Sequence, residues 1–398
     1  MITYVSDTQH IDCLIDTLRQ AADGFKHDKS EKDRVIALKA AQDLVGALQK
    51  PRDAVIQLSY SPTQILCVRI GIDLDVFTTL TDRNVPLAIE ELAAVKNADL
   101  MLTERVLRVL AGIGYVVEHD IRIYAANTMT RQMSTRESDA TVKFLFDVGM
   151  PSLAKTPEYF RQASFQSPAE TNNGPFQYGE KTEKSLWEWF AQCPESGKDF
   201  DTYMEGNRGD NLNWVDWFPV QERLIDGYEA SEGDVLLVDV AGGRGHELAA
   251  FQAKFPNALG RLILEDQPGV LPGNDSGRKI ESLSFDLFKP QPIQDARIYY
   301  MKFILHDWAD AQCHEILQHL RAAMKKGYSK LIIEEFILPD KGAPLAQTML
   351  DWQMMVFCSS MERTRDHWEK LLTSAGFQMV KFWFPPRQGQ GIIEAEVA

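Results

Sequence analysis

Cysteine is sparse, and no two cysteines are spaced to share a metal. The five, Cys13, Cys67, Cys193, Cys313 and Cys358, are scattered and form no C-x-x-C unit. This argues against a zinc site and a disulfide framework, and makes a reducing compartment the simpler setting. No metal is expected. Long apolar runs are also missing, since no stretch approaches the roughly eighteen residues of a membrane-spanning helix. Met1 to Gln20 mixes Asp, His and Arg with its apolar residues, so no secretory signal is expected and the chain reads as cytoplasmic. Positive charge is short: 42 Lys and Arg stand against 57 Asp and Glu, a net charge of −15. With no long basic run, neither nucleic acid nor an anionic membrane is expected as a partner.

What is present is ordinary for a soluble globular protein of two domains: 398 residues, 44% hydrophobic and 25% charged. The first fifty residues or so read as two amphipathic helices, one through Ile11, Leu14, Ile15 and Leu18, the other through Val35, Leu38, Ala41, Val45 and Leu48, stopped by Pro51. Such helices cover either a partner subunit or their own chain. Helices are expected over Ile65 to Leu80, Leu87 to Val95 and Leu100 to Ile113. A small hairpin follows at Tyr115 to Val117 and Ile121 to Tyr124. Three helices and a hairpin form a winged-helix pattern. Its third helix offers only Arg105 and Arg108 as cations, with Glu104 beside them, which disfavours DNA as its ligand.

From about residue 130 to 230 the chain is helical and aromatic-rich, with Phe144, Phe176, Trp187, Trp189, Phe190, Trp214 and Trp217 among its rings. Thr171 to Gly174 interrupts it as a polar turn. These rings are core, or they wall an apolar ligand pocket. From Asp234 onward strands and helices alternate. Strands are expected at Val235 to Val240, Arg261 to Leu264, Ile298 to Met301 and Leu331 to Ile333, with a helix over Gln312 to Lys325. Two closing strands, Phe377 to Phe384 and Ile392 to Val397, are placed to pair antiparallel. The expected class is α/β: a Rossmann-like doubly wound C-terminal domain behind an N-terminal helical, winged-helix-type domain. The boundaries read as 1–130, a connector over 131–230 that contributes to an acceptor pocket, and 231–398.

Four motifs carry the chemistry. Asp239-Val240-Ala241-Gly242-Gly243-Arg244-Gly245 closes the first strand of the α/β domain and opens a helix, and its glycines let a ligand approach the backbone. Glu265-Asp266 ends the next strand with an acid suited to the two hydroxyls of a ribose. That pairing fits nicotinamide, flavin or S-adenosylmethionine. The acid on the strand and the absence of a G-x-G-x-x-G order lean toward the methyl donor. Leu305-His306-Asp307-Trp308 follows a later strand and offers an imidazole as a general base for a phenol, whose pKa lies near 10. Glu335, just past the next strand, and Glu362, before the last major helix, are placed to reach the same rim and orient that imidazole. The bland alternatives are an exposed loop acid for Glu335 and a helix-dipole charge for Glu362.

Together, DVAGGRG, the strand-end ED, LHDW, EEFILP and ERT resemble the plant and fungal small-molecule O-methyltransferases typified by caffeate and flavonoid O-methyltransferases. The resemblance covers nearly the whole chain, and the fungal secondary-metabolite members are the nearer match. It implies S-adenosyl-L-methionine as cofactor, an N-terminal dimerisation domain, a homodimer and a small aromatic acceptor. It implies that Asp239, Ala241, Gly243 and Gly245 form the donor loop, with Ala241 where the family usually has glycine. Asp266 would hold the ribose, Asp286 and Leu287 flank the adenine, and Lys302 lie near the donor. His306 would be the base, Glu335 and Glu362 its flanking carboxylates, and Met354, with Phe144 and Trp308, the acceptor side. Some fungal relatives use this fold for dehydration or pericyclic chemistry without methyl transfer. That alternative is set against the intact His306, Glu335 and Glu362.

Overall fold

A computed structural model of the chain describes residues 8–206, 212–231, 233–271, 280–386 and 389–398. Of the N-terminal stretch read as lacking a signal, residues 1–7 lie outside the described residues. The chain divides into two compact units, the first ending at Val142 and the second beginning at Lys143.

In the first unit the helices Thr8–Asp28 and Glu31–Leu48 pack on each other. Pro51 does not merely stop the second of these. It occupies the first turn of the next helix, Pro51–Asp73, where its missing N–H costs nothing. The single helix expected over Ile65 to Leu80 is two. Leu74 caps the first, and Asp75 adopts a left-handed φ of 53° before the second runs over Val76–Arg83. Aspartate tolerates that conformation better than most residues, and it turns the chain sharply. Helix Leu100–Gly112 starts where the Asp99 side chain accepts the amide of Leu102 at 2.8 Å. Its Val106, Leu107 and Leu110 meet Phe77 and Leu80 in the core of this unit. The expected hairpin is present as β2 (Val117–Asp120) and β3 (Ile123–Ala125), and β1 (Leu87–Ala88) adds an unforeseen third strand in the order β1-β3-β2.

In the second unit the described residues form a seven-stranded sheet. Its strands are β4 (Val235–Val240), β5 (Arg261–Asp266), β6 (Ile280–Ser284), β7 (Ile298–Lys302), β8 (Lys330–Glu335), β9 (Phe377–Trp383) and β10 (Gly391–Val397). The order is β6-β5-β4-β7-β8-β10-β9; β4 to β8 run parallel, and β10 pairs antiparallel with both β8 and β9. Alternation distributes the side chains. Tyr299, Met301, Leu331 and Ile333 face a core built with Ile316, Leu317, Trp368 and Leu372. Ile298, Tyr300 and Ile332 face one built with Trp214, Leu248 and Phe251. The chain leaves β4 for β5 and β6 on one side, then returns for β7 and β8 on the other. The ends of β4 and β7 therefore flank the switch point where such sheets bind ligands. β6 escaped the sequence pattern because it is an edge strand with only Ile280 and Leu283 as apolar residues.

Among the described residues no helix is long and apolar enough to cross a membrane.

Candidate active site

The loop after β4 is held open by backbone conformation. Ala241, Gly243 and Gly245 all take positive φ, 57°, 64° and 74°. At Gly243 a Cβ would meet nothing within 4 Å, so its backbone faces open space. Asp266, at the end of β5, accepts the amide of Gly243 at 2.8 Å and that of Gln267 at 2.7 Å, which ties its carboxylate to the loop. Burial nevertheless raises its pKa. Its neighbour Glu265 points the other way, is fully buried against Gln291, and is pushed up to about 7 by burial. Asp286 and Leu287 follow β6, where the Asp286 carboxylate accepts the amide of Phe288 at 3.0 Å.

Ala241 is a residue with a Cβ in a left-handed position, which costs about 1–2 kcal/mol, partly offset by the lower entropy of its unfolded chain. Ala241→Gly is expected to stabilise the protein by up to about 1 kcal/mol, visible as a rise of a few degrees in melting temperature. An unchanged or lower melting temperature would show the strain to be absent.

Lys302 ends β7 with its ammonium 2.9 Å from Glu247 and 3.1 Å from Glu334, and the Tyr300 hydroxyl donates to Glu334. Burial works against the Lys302 charge, but the two carboxylates outweigh it and raise its pKa. Lys302 is thus part of a buried ionic network at the switch point, supported by two acids that sequence reasoning did not single out.

His306 sits in a short 3-10 turn, Leu305–Asp307, one step beyond β7. Three groups converge on it. Its Nδ1 lies 2.7 Å from Glu362 Oε1 and 3.8 Å from Glu335 Oε2, and its Nε2 lies 3.5 Å from Asp307 Oδ1. Glu335 is neither past the strand nor exposed. It is the last residue of β8, is fully buried, and its Oε1 accepts the amides of Ile304 and Leu305 at 3.1 Å and of His306 at 3.4 Å. One carboxylate oxygen therefore fixes the backbone that carries the imidazole, and the other faces the ring. Glu362 is buried too, in the segment between helices Leu345–Cys358 and Arg365–Ser374, with its amide on Asp351 at 2.8 Å. A charge at the start of the following helix does not describe it.

Burial pushes the His306 imidazolium toward losing its proton, but Glu335, Asp307 and Glu362 outweigh it and hold its pKa up at about 10. Burial raises Glu335 to about 7 and Asp307 to about 6, against the pull of the imidazolium.

Three further residues complete this geometry. Asp307 lies beside His306 Nε2. Phe303 takes a left-handed φ of 53° and stacks on the His306 ring at 5.1 Å, 28° from parallel; a bulky residue is rare in that conformation. Arg363 is buried at 1% exposure and donates to the carbonyls of Leu305 (2.8 Å) and Trp308 (2.9 Å). It also pairs with Asp310 at 2.7 Å and lies over the Trp368 ring. Asp307 and Arg363 stood inside the quoted motifs, and only their neighbours drew a role. Nothing in sequence marked Phe303.

The acceptor-side residues are placed separately. Trp308 packs edge-on against Phe288 at 4.8 Å. Met354 is half-buried on helix Leu345–Cys358. Phe144 is buried in an aromatic core, 5.3 Å from Phe357 and 5.2 Å from Phe200.

Residues 210–378 match the model of the O-methyltransferase domain, and residues 58–136 match that of the O-methyltransferase dimerisation domain. The chain is 35% identical to O-methyltransferase penC of Penicillium thymicola, with 96% of each chain covered. It is 38% identical to O-methyltransferase asqD of Emericella nidulans, over 84% of this chain and 87% of that one. The chain belongs to the O-methyltransferase family. Its structure is similar to that of LepI in complex with SAM (TM-score 0.87, 27% identity, 98% and 100% of the chains covered). It is similar also to OxaC in complex with sinefungin and meleagrin (TM-score 0.85, 25% identity, 98% and 99% covered). Another similar structure is described as a pericyclic reaction enzyme, at TM-score 0.87 and 27% identity.

The protein is therefore an S-adenosylmethionine-dependent O-methyltransferase with a dimerisation domain. The open backbone at Gly243 and the acid beside it fit that donor.

Proposed function

We propose that the enzyme methylates a hydroxyl of a small, flat aromatic secondary metabolite, with His306 as the general base. The observation that supports this most is the buried set His306, Glu335 and Glu362, with Glu362 at 2.7 Å from Nδ1. Glu362 holds the proton of a neutral imidazole on Nδ1, which turns the Nε2 lone pair toward the acceptor. Nε2 takes the hydroxyl proton, and the oxygen attacks a methyl group held in line. When bound, S-adenosylmethionine supplies that methyl on a sulfonium. Asp239, Ala241, Gly243, Gly245, Asp266, Asp286, Leu287 and Lys302 are the residues we assign to holding it. Met354, Phe144 and Trp308 are assigned to the acceptor. The connector over residues 131–230 contributes aromatic residues to the acceptor side, and the dimerisation domain supports a homodimer. We place the protein in the cytoplasm. OxaC was solved with sinefungin and meleagrin together, and an organic molecule of comparable kind is the acceptor class we infer.

Asp266→Ala should weaken binding of S-adenosylmethionine about 10- to 100-fold, the loss of hydrogen bonds to a charged acceptor. Titration calorimetry reads this directly, and unchanged affinity would remove Asp266 from the donor site.

The pH dependence has a defined sign. The base form is neutral imidazole, and the carboxylates hold the imidazolium up to about 10. Turnover per acceptor concentration should therefore climb as pH rises through 8 to 10. Glu335→Gln removes one negative charge 3.8 Å from Nδ1 and should move the rising limb down by at least about one pH unit. A profile flat over this range in the wild type would contradict the assignment. An acceptor whose hydroxyl ionises well above pH 10 keeps its own titration out of the measurement and still needs the base.

A second reading has its own support. At neutral pH an imidazolium held to about 10 is an acid, and a pericyclic reaction enzyme shares the fold at 27% identity. In that reading the site promotes dehydration or rearrangement of a bound metabolite. Product formation with S-adenosylhomocysteine remaining at background would favour it over methyl transfer.

A further inference from the structure

We propose that His306, Glu335 and Glu362 also form a latent site for a borderline divalent transition ion such as Zn²⁺, which occupies the place of the Nδ1 proton and locks the base. This is an inhibitory site, not a cofactor site. One ligand atom from each of the three residues lies within 4.8 Å of the others, and all three residues are buried. Imidazole nitrogen with two carboxylate oxygens is a ligand set such ions take, with positions left for water.

Two observations point to a cation rather than to hydrogen bonds alone. The first is the unequal use of the carboxylates. Glu335 Oε1 accepts three backbone amides, while its Oε2 has no hydrogen-bond partner, and Glu362 Oε2 has none either. Both oxygens are buried, where an unpaired acceptor is costly. The second is spacing. Glu335 Oε2 stands 3.8 Å from Nδ1, too far for a hydrogen bond. Two ligands each about 2.1 Å from one ion stand about 3.4 Å apart when tetrahedral and further when the angle opens. The 2.7 Å contact from Glu362 to Nδ1 must widen slightly, which a side-chain rotation supplies.

Charge favours the exchange. Facing the imidazole are the carboxylates of Glu335, Glu362 and Asp307. Asp351 lies behind Glu362, and the Arg363 guanidinium is on the neighbouring segment. A doubly charged ion balances this set better than one proton. The exchange is balanced in atoms: the imidazolium gives its Nδ1 proton to buffer, keeps the proton on Nε2, and binds the ion through Nδ1. With Nε2 protonated and Nδ1 taken, the ring accepts nothing from an acceptor. The ligands are buried, so equilibration should be slow.

The test uses the full-length protein, stripped with a chelator and titrated with Co²⁺. About one equivalent should give a visible d–d band of low-symmetry coordination, abolished by Zn²⁺. In His306→Ala and in Glu362→Gln the band should be lost or its midpoint weakened more than tenfold. Because either variant could fold poorly, calorimetric titration of the stripped wild type with Zn²⁺ supplies a second measurement, and about one Zn²⁺ should bind per chain. No band, a band unchanged in both folded variants, or no Zn²⁺ binding would overturn the proposal. Inhibition of methyl transfer by Zn²⁺, reversed by chelator, rests on His306 being the base, whereas the cobalt band and the Zn²⁺ stoichiometry do not. Binding without inhibition would therefore overturn the locking role and count against the base reading, while the ion site itself would stand.

Discussion

His306→Ala is expected to lower methyl transfer to an ordinary phenol by about 10²- to 10⁴-fold, the range of general-base contributions, with affinity for S-adenosylmethionine unchanged. The size follows from the acceptor. A phenol with a pKa near 10 is still mostly protonated at pH 9, where part of the imidazole is already neutral, and a protonated oxygen is a poor nucleophile toward a methyl carbon. The site excludes most other bases. Asp307 is the remaining carboxylate on the Nε2 side, 3.5 Å away, and it loses the imidazole that positions it. The defect should shrink as the acceptor becomes more acidic, and nearly vanish for a phenol already ionised at the assay pH. A uniform defect across acceptors of differing acidity would indicate a positioning role for His306 instead. Near-normal methylation of a weakly acidic phenol would refute the base assignment outright.

The second large effect is expected away from the reacting atoms. Arg363→Met keeps the length and apolar stem but removes the guanidinium that joins the two walls of the site. Leu305 and Trp308 lose the donor to their carbonyls, and Asp310 loses its ion pair. Removing one partner from a buried charged network costs about 3–5 kcal/mol, even though the exposed Asp310 end adds little. The melting temperature should fall by about 10 °C. The folded variant should also lose turnover more than donor affinity, because the LHDW turn no longer sits where Glu335 and Glu362 can share the imidazole. Arg363→Lys should recover part of the stability, since an ammonium still reaches one carbonyl, but less of the turnover. Equal recovery of both would reduce Arg363 to a fold element.

The parallel strands were legible because a strand buried on both faces reads as a continuous apolar run, as in Val235 to Val240 and Leu331 to Ile333. The strand ends placed Asp239, Asp266, His306 and Glu335 on one edge of the sheet, and the structure brings Glu335 and Glu362 to His306. Local backbone choices hid the rest. Asp75 breaks an otherwise unbroken helical pattern through a left-handed φ, and Phe303 stacks on the imidazole through another. Neither conformation is encoded in periodicity. Arg363 was passed over for a different reason: arginine is normally exposed, and only the surrounding carbonyls show why this one is buried. The burial of Glu335 had a faint trace in sequence, two acids set inside the run Ile332-Ile333-Glu334-Glu335-Phe336-Ile337. Read singly, either one could have been a loop acid.

The most direct test is a label-transfer assay with S-adenosylmethionine carrying an isotopic methyl, run on wild type and His306→Ala with a panel of phenolic metabolites. Label should appear on an acceptor oxygen, one S-adenosylhomocysteine should form per label transferred, and both should fall together in the variant. Conversion of a panel member with no label transferred and no S-adenosylhomocysteine formed would contradict methyl transfer from this site.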